Sequence, residues 1–335
     1  MSTTQFRAKQ APNFIILILY ITTGSLGNLG AIDILAPQWI YLGAVNILAC
    51  LYFLFFNSSA QVGLSKLSKS IFIYVYLFYF LWSGLSYFYA INPTETLLNL
   101  PRLGNTFFAV FFCFLLLNNL ENKVVLISRI FIGFLCFELL SFYSDFFTQL
   151  ETKDFNAMNL KGVAGNKNIT AASIAFKVPF VLYSIVTVRK GLLKIILSFI
   201  LFAALFSISV LYARAAILSS FIVFIIFLSY SLYNLVINRS NLVKGLPNFL
   251  LTLVPYVAAI LLNLAFTSSQ NKGDITSQLG DIEFTEQSSN GRFQYWSDAF
   301  EHIQDHPIIG AGLGNWKIAS ISYGKEHIKG YTVPY

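Results

Sequence analysis

Residues 192–236 read LLKIILSFILFAALFSISVLYARAAILSSFIVFIIFLSYSLYNLV, and this stretch decides the fold. It carries only two charged side chains, Lys194 and Arg214. Leu192–Val210 and Ala213–Val236 each approach or exceed the ~20 apolar residues that a helix needs to cross a hydrocarbon layer of ~30 Å. Inside lipid an unbroken segment can satisfy its own backbone only as a helix. Working outward, the same test picks out Asn13–Leu35, Trp39–Phe56, Ile71–Ala90, Leu103–Leu117, Val124–Phe147, Ile169–Val188 and Pro247–Phe266. The chain therefore reads as all-α, a polytopic integral-membrane helical bundle of about nine transmembrane helices. Residues 1–266 form the bundle and residues 267–335 an outer, extracytoplasmic loop.

Composition excludes a soluble domain. The 335 residues are 56% hydrophobic and 11% charged, against about 25% charged in an ordinary globular chain. The 34 Phe and 18 Tyr suit lipid contact and the membrane interface. A net charge of +7 invites a nucleic-acid partner, but the basic residues are spread through short loops, so none is expected. With the N-terminus in the cytoplasm, inner loops hold Arg7, Lys9, Lys66, Lys69, Lys123, Arg189, Lys190, Lys194, Arg239 and Lys244. The outer loops hold Arg102, Lys153, Lys161, Lys167 and Arg214. With nine spans, that bias sets the N-terminus inside and everything after about residue 267 outside, which is the periplasm if the cell is Gram-negative. Cys50, Cys113 and Cys136 sit in apolar segments as small buried side chains. The polar residues 1–10 precede an apolar run without a cleavage site, which reads as a retained helix.

The outer loop has its own order. Thr267–Gln287 is polar, Asn290 can cap a helix, and Phe293, Trp296, Phe300 and Ile303 recur at helical spacing. Such a stripe belongs either in a core or on a membrane surface. His306-Pro307 ends the helix, and Gly310, Gly312 and Gly314 form a turn without the strand or spacing of a dinucleotide loop. His302, His306 and His327 lack metal-ligand spacing, no nucleophile motif appears, and no cofactor is expected.

Ionisable residues near apolar runs carry the functional reading. Arg214 lies between two spans with no long loop to place it in water, so it either meets a polar cavity or snorkels to the outer interface. Arg292 opens the loop helix on the same expected side. Two arginines facing one outer cavity suit a diphosphate, since each guanidinium donates paired hydrogen bonds to phosphate oxygens. Glu138 and Lys177 fall ~12–14 Å below the outer surface of consecutive spans, at 1.5 Å per residue, and are expected to pair. In the outer loop 161–170, Gly162, Gly165, Asn166 and Asn168 give a turn followed by a helix cap, and the exposed helix N-terminus favours anions.

Three segments together resemble the O-antigen ligase and polymerase family of membrane glycosyltransferases: Gly165-Asn-Lys-Asn168, Arg214-Ala-Ala216, and Arg292…Trp296…Ala299…His306-Pro-Ile-Ile-Gly-Ala-Gly-Leu-Gly314. The resemblance implies a polyprenyl-diphosphate donor, here an undecaprenyl-diphosphate-linked glycan. It also implies a hydroxyl acceptor, lipid A-core or a growing polysaccharide, and an inverting, metal-independent transfer. Arg214 and Arg292 would bind the diphosphate, with Asn166, Asn168, Lys177, Glu138 and His306 as supporting residues. In the family, a Val-Pro-Tyr-like stretch leads into a His-Asn pair that supplies the catalytic histidine. This chain reads Thr332-Val-Pro-Tyr335 at its end, so the histidine is expected beyond Tyr335 and the catalytic residue is left unassigned. A secondary transporter or flippase, with Glu138, Lys177 and Arg214 along its path, is the alternative.

Overall fold

The computed structural model describes residues 3–26, 33, 35–56, 65–151, 155–237, 242–269 and 292–323. Among them there are helices, turns and no strand. The helices are α1 (Thr3–Thr22), α2 (Ala36–Phe55), α3 (Ile71–Leu85), α4 (Pro93–Asn118), α5 (Lys123–Leu150), α6 (Lys167–Thr187), α7 (Gly191–Val210), α8 (Arg214–Ile237), α9 (Leu242–Ser269), α10 (Arg292–Asp305) and α11 (Trp316–Tyr323). Within the described residues, eight segments drawn from α2 to α9 are long and apolar enough to cross a membrane. The chain is a polytopic helical membrane bundle.

Two expected spans differ in extent. The first, expected over Asn13–Leu35, has a helix ending at Thr22 and a 3-10 turn over Thr23–Ser25, leaving a shorter apolar helix at Ala11–Ser25. Gly24, which weakens a helix, falls in that turn; Gly27 and Gly30 lie outside the described residues. The fourth, expected from Leu103, begins ten residues earlier, at Pro93. There Asn92 accepts a hydrogen bond from Thr94 N (3.1 Å), and Pro93 occupies the first helical position, where its missing N–H costs nothing.

The chain divides into two compact units. One comprises Met1–Tyr20, Trp39–Leu120 and Ile282–Tyr335. Its apolar core joins Ile16 and Tyr20 of α1, Val45, Ala49 and Phe53 of α2, and Phe112, Leu115 and Leu116 of α4. A polar clasp crosses the same three helices: Tyr20 OH donates to Asn46 Oδ1 (2.8 Å), and Asn46 Nδ2 donates to Asn105 O (3.0 Å). α3 holds to α4 through Tyr76, whose hydroxyl reaches Leu103 O (2.9 Å) and whose ring stacks on Phe107.

The other unit comprises Ile21–Gln38 and Glu121–Asp281. α6 is its most deeply buried helix, with Ile174, Val178, Val181, Leu182 and Ile185 sealed from solvent. It packs with Leu135 and Phe142 of α5 and Leu201, Ala204 and Ile208 of α7. Tyr143 OH donates to Ala203 O (3.0 Å), and Ser198 Oγ donates to Leu251 O (2.7 Å). Small residues along α7, including Ala203, Ala204, Ser207 and Ser209, are buried, as close helix approach in a membrane requires.

Candidate functional site

In the second unit, the loop before α6 is built from turn chemistry. Gly162 and Gly165 adopt left-handed backbone conformations, φ +55° and +68°. A Cβ at Gly162 would meet Thr170 Cγ2 at 2.9 Å. Thr170 Oγ1 closes the loop by donating to Lys161 O (2.6 Å), and Gly162 N donates to Asp145 Oδ2 (3.0 Å). Asn166 caps α6 by accepting from Asn168 N (2.9 Å) and Ile169 N (3.4 Å). The expected cap therefore belongs to Asn166, while Asn168 lies exposed in the first turn of the helix.

Glu138 and Lys177 form the expected pair, each 6% exposed. Lys177 Nζ stands 2.9 Å from both carboxylate oxygens. Ser173, one turn earlier on α6, joins them: Lys177 Nζ donates to its Oγ (2.7 Å), and that hydroxyl donates to Glu138 Oε1 (2.7 Å). Removing two charges from water is costly, and the pair is tolerated because donors and acceptors are matched within the cluster. The result joins α5 to α6 at a fixed depth.

Arg214 is the first residue of α8 and is half-buried. Only Leu211, Tyr212 and Ala213 separate it from the end of α7. Tyr212 takes a left-handed conformation, φ +53°, which turns the chain in that short space. Val210, Leu211 and Ala213 are buried around it.

The first unit holds the loop helices. Arg292 is the first residue of α10; the expected cap Asn290 lies outside the described residues, as do His327 and Thr332–Tyr335. His306 is exposed just beyond α10, its N–H bonded to His302 O (2.9 Å). Its neighbour His302 is buried, 8% exposed. Tyr323 OH donates to Asp305 Oδ2 (2.9 Å), so its oxygen accepts from His302 Nδ1 (3.1 Å). Neutral His302 thus carries its proton on Nδ1, while Nε2 is buried without a hydrogen-bond partner. Burial, and then the neighbouring His306, hold the His302 pKa below the ordinary 6.5, against an opposing effect of Asp305.

The glycine turn after α10 serves docking. Gly310, Gly312 and Gly314 have φ of +62°, +85° and +79°. A Cβ at Gly312 would meet Ala90 Cβ at 2.9 Å, and one at Gly314 would run into the Asn99 amide. The turn seats on the link between α3 and α4. Asn92 N donates to Asn315 Oδ1 (2.7 Å) and Asn315 Nδ2 donates to Asn92 O (3.2 Å), so one side chain mimics a paired strand. Leu313 N donates to Ser86 Oγ (3.0 Å), Thr96 Oγ1 to Leu313 O (3.2 Å), and Tyr89 OH to Ile309 O (3.1 Å).

Residues 169–335 match the family model described as O-antigen ligase. Through this half, the chain belongs to the O-antigen ligase family. The matched segment of this O-antigen ligase homologue carries Lys177, Arg214, Arg292 and His306. Glu138, Asn166 and Asn168 precede it. No curated protein and no solved structure matches the chain. The family and the apolar helices make this a multi-pass membrane protein of the ligase or polymerase type.

Arg214 and Arg292 belong to different compact units, and the structure brings Glu138 and Lys177 together within one. Sequence reasoning missed Asp145, Thr170 and Ser173. Ser173 had a usable signal, since it sits four residues before Lys177 on one helical face. Asn315 and the His302–Tyr323–Asp305 chain depend on contacts that no local pattern encodes.

Proposed function

We propose that this protein transfers a glycan from an undecaprenyl-diphosphate donor to a hydroxyl acceptor at the outer face of the bacterial inner membrane. Ligation to lipid A-core is favoured over polymerisation of repeat units. The match of residues 169–335 to the O-antigen ligase family carries this reading, because it spans both arginines assigned to the diphosphate.

In the reaction, the acceptor oxygen bonds to the anomeric carbon and the bond from that carbon to the phosphate oxygen breaks. The configuration inverts, the hydroxyl proton passes to a general base, and undecaprenyl diphosphate leaves. Arg214 and Arg292 stabilise the negative charge that develops on the leaving phosphate. No metal is required for that role, because guanidinium groups supply the positive charge.

The hydrogen bonds between residues 309–315 and the α3–α4 link support an outer position for the loop helices. Among the described residues, six helices long and apolar enough to cross a membrane, α4 to α9, lie between that link and Arg292. An even number of crossings returns the chain to the side it left, in agreement with the positive-inside assignment of both to the outer face. The transporter reading draws on Glu138, Lys177 and Arg214, of which the first two close on Ser173.

The test uses purified protein in proteoliposomes with undecaprenyl-diphosphate-linked glycan and acceptor. Arg292→Ala is expected to lower transfer about 10²–10³-fold, with insertion and abundance unchanged. Unaltered transfer removes the diphosphate role of Arg292. Movement of labelled substrate across the vesicle without release of undecaprenyl diphosphate favours the transporter.

A further inference from the structure

α10 is amphipathic in the reverse sense from a helix of a soluble protein. Its inward side buries polar residues, Asp298 at 5% exposure and His302 at 8%. His302 faces α11 through Tyr323, and its ring lies against Trp316. Its outward side carries Trp296, Phe300 and Ile303, spaced i, i+4 and i+7 along one helical stripe. They are 58%, 66% and 55% exposed. Ser297, Glu301 and Gln304 occupy a separate, polar sector. Of the stripe expected from sequence to lie in a core or on a membrane, Trp296, Phe300 and Ile303 are therefore not in the core, while Phe293 is half-buried.

We infer that this face of α10 lies on the outer surface of the phospholipid bilayer, at the boundary between headgroups and acyl chains. Three observations favour lipid as the occupant. The exposed Ile308 and Ile309 extend the apolar surface past the end of α10, and Ile309 O is bonded to Tyr89 OH at the α3–α4 link. That link joins two helices long and apolar enough to cross a membrane, so it marks the level at which the bilayer ends. It also exposes apolar side chains of its own, Phe88 and Ile91.

The length agrees. At 14 residues α10 extends ~21 Å, too short for a crossing of ~30 Å. Trp296, Phe300 and Ile303 supply the aromatic and aliphatic side chains of an interfacial apolar face. The inference is independent of the transfer reaction: it concerns where α10 rests, whatever the chain does chemically.

The test is spin-label accessibility on the full chain, in vesicles of phosphatidylethanolamine and phosphatidylglycerol. In a Cys50→Ser, Cys113→Ser, Cys136→Ser background, single cysteines are placed at 296, 300 and 303 and at 297, 301 and 304. Labels at the first three positions are expected to collide with oxygen severalfold more, relative to a water-soluble nickel chelate, than labels at the second three. If the stripe labels prefer the nickel chelate, the face is in water and the inference fails. If they are immobilised and neither reagent reaches them, protein covers the face and the inference also fails. The unsubstituted chain gives a check independent of the cysteine background. Brominated phospholipids should quench the Trp296 contribution, taken as the difference in emission between the parent chain and Trp296→Phe, and an unquenched difference overturns the assignment.

Discussion

Two polar clusters hold this protein together in different ways. The Glu138–Lys177–Ser173 cluster is charged, buried in apolar surroundings, and joins consecutive helices 39 positions apart in sequence. The Asn92–Asn315 clamp is neutral, lies at the end of two spans, and joins residues 223 positions apart. The first exists because a charge inside a membrane has few stable options, and an opposite charge at equal depth is the simplest. The second exists because two backbone groups at a turn would otherwise lack partners, and one carboxamide can serve both. Charge constrains the first cluster, whereas the second depends on geometry alone.

Breaking the charged cluster should have the larger effect. Lys177→Ala leaves Glu138 buried without its cation and should destabilise the second unit by about 3–5 kcal/mol. The measurement is abundance in the membrane fraction, with Lys177→Ala depleted and Glu138→Ala/Lys177→Ala restored towards the parent level. Absence of rescue would show that the lysine does more than balance a charge. The neutral clamp should be weaker. Asn315→Ala strands the Asn92 backbone groups at a cost of about 1–3 kcal/mol. It should speed proteolysis of residues 292–323 while the second unit keeps its own resistance. If both units are cleaved faster, the clamp is not local to the first unit. A local feature sets the scale beneath both. Asn166→Ala removes only a helix cap, worth about 1 kcal/mol, and should lower thermal stability slightly with abundance unchanged.

The smallest effect is expected from pH. The folded pKa of His302 is depressed, so its contribution to stability is fully present above 6.5, its ordinary pKa, and is lost as pH falls through the folded value. His306, Asp305 and Tyr323 are the titratable groups around it. Cleavage within α10 and α11 should rise on acidification below 6.5, and His302→Gln should flatten that rise. A pH response unchanged by His302→Gln would show that His302 does not carry it.

How far the sequence could be read follows from the same contrast. Spans such as Gly191–Val210 were legible from apolar length alone, because lipid leaves the backbone few choices. The pairing of Glu138 with Lys177 followed from depth. The glycine turn after α10 was legible only as a turn, since the need for glycine at 312 and 314 comes from Ala90 and Asn99, more than two hundred positions away. The stripe on α10 was visible as a period, but whether it faced core or lipid depended on which side α11 covers. α4 starts at Pro93 and not at Leu103 because the Asn92-Pro93 cap, and not the apolar run, sets where the helix begins.

The clasp of Tyr20, Asn46 and Asn105 has a consequence for biogenesis. α1 has an apolar stretch shorter than its neighbours, and it carries Asn13 as a buried polar side chain. Such a segment partitions weakly into a bilayer on its own. Its stable place is against α2 and α4, where Tyr20 finds Asn46. During synthesis α1 would then be retained late, recruited by helices that emerge from the ribosome after it, so the order of insertion need not follow the order of the chain.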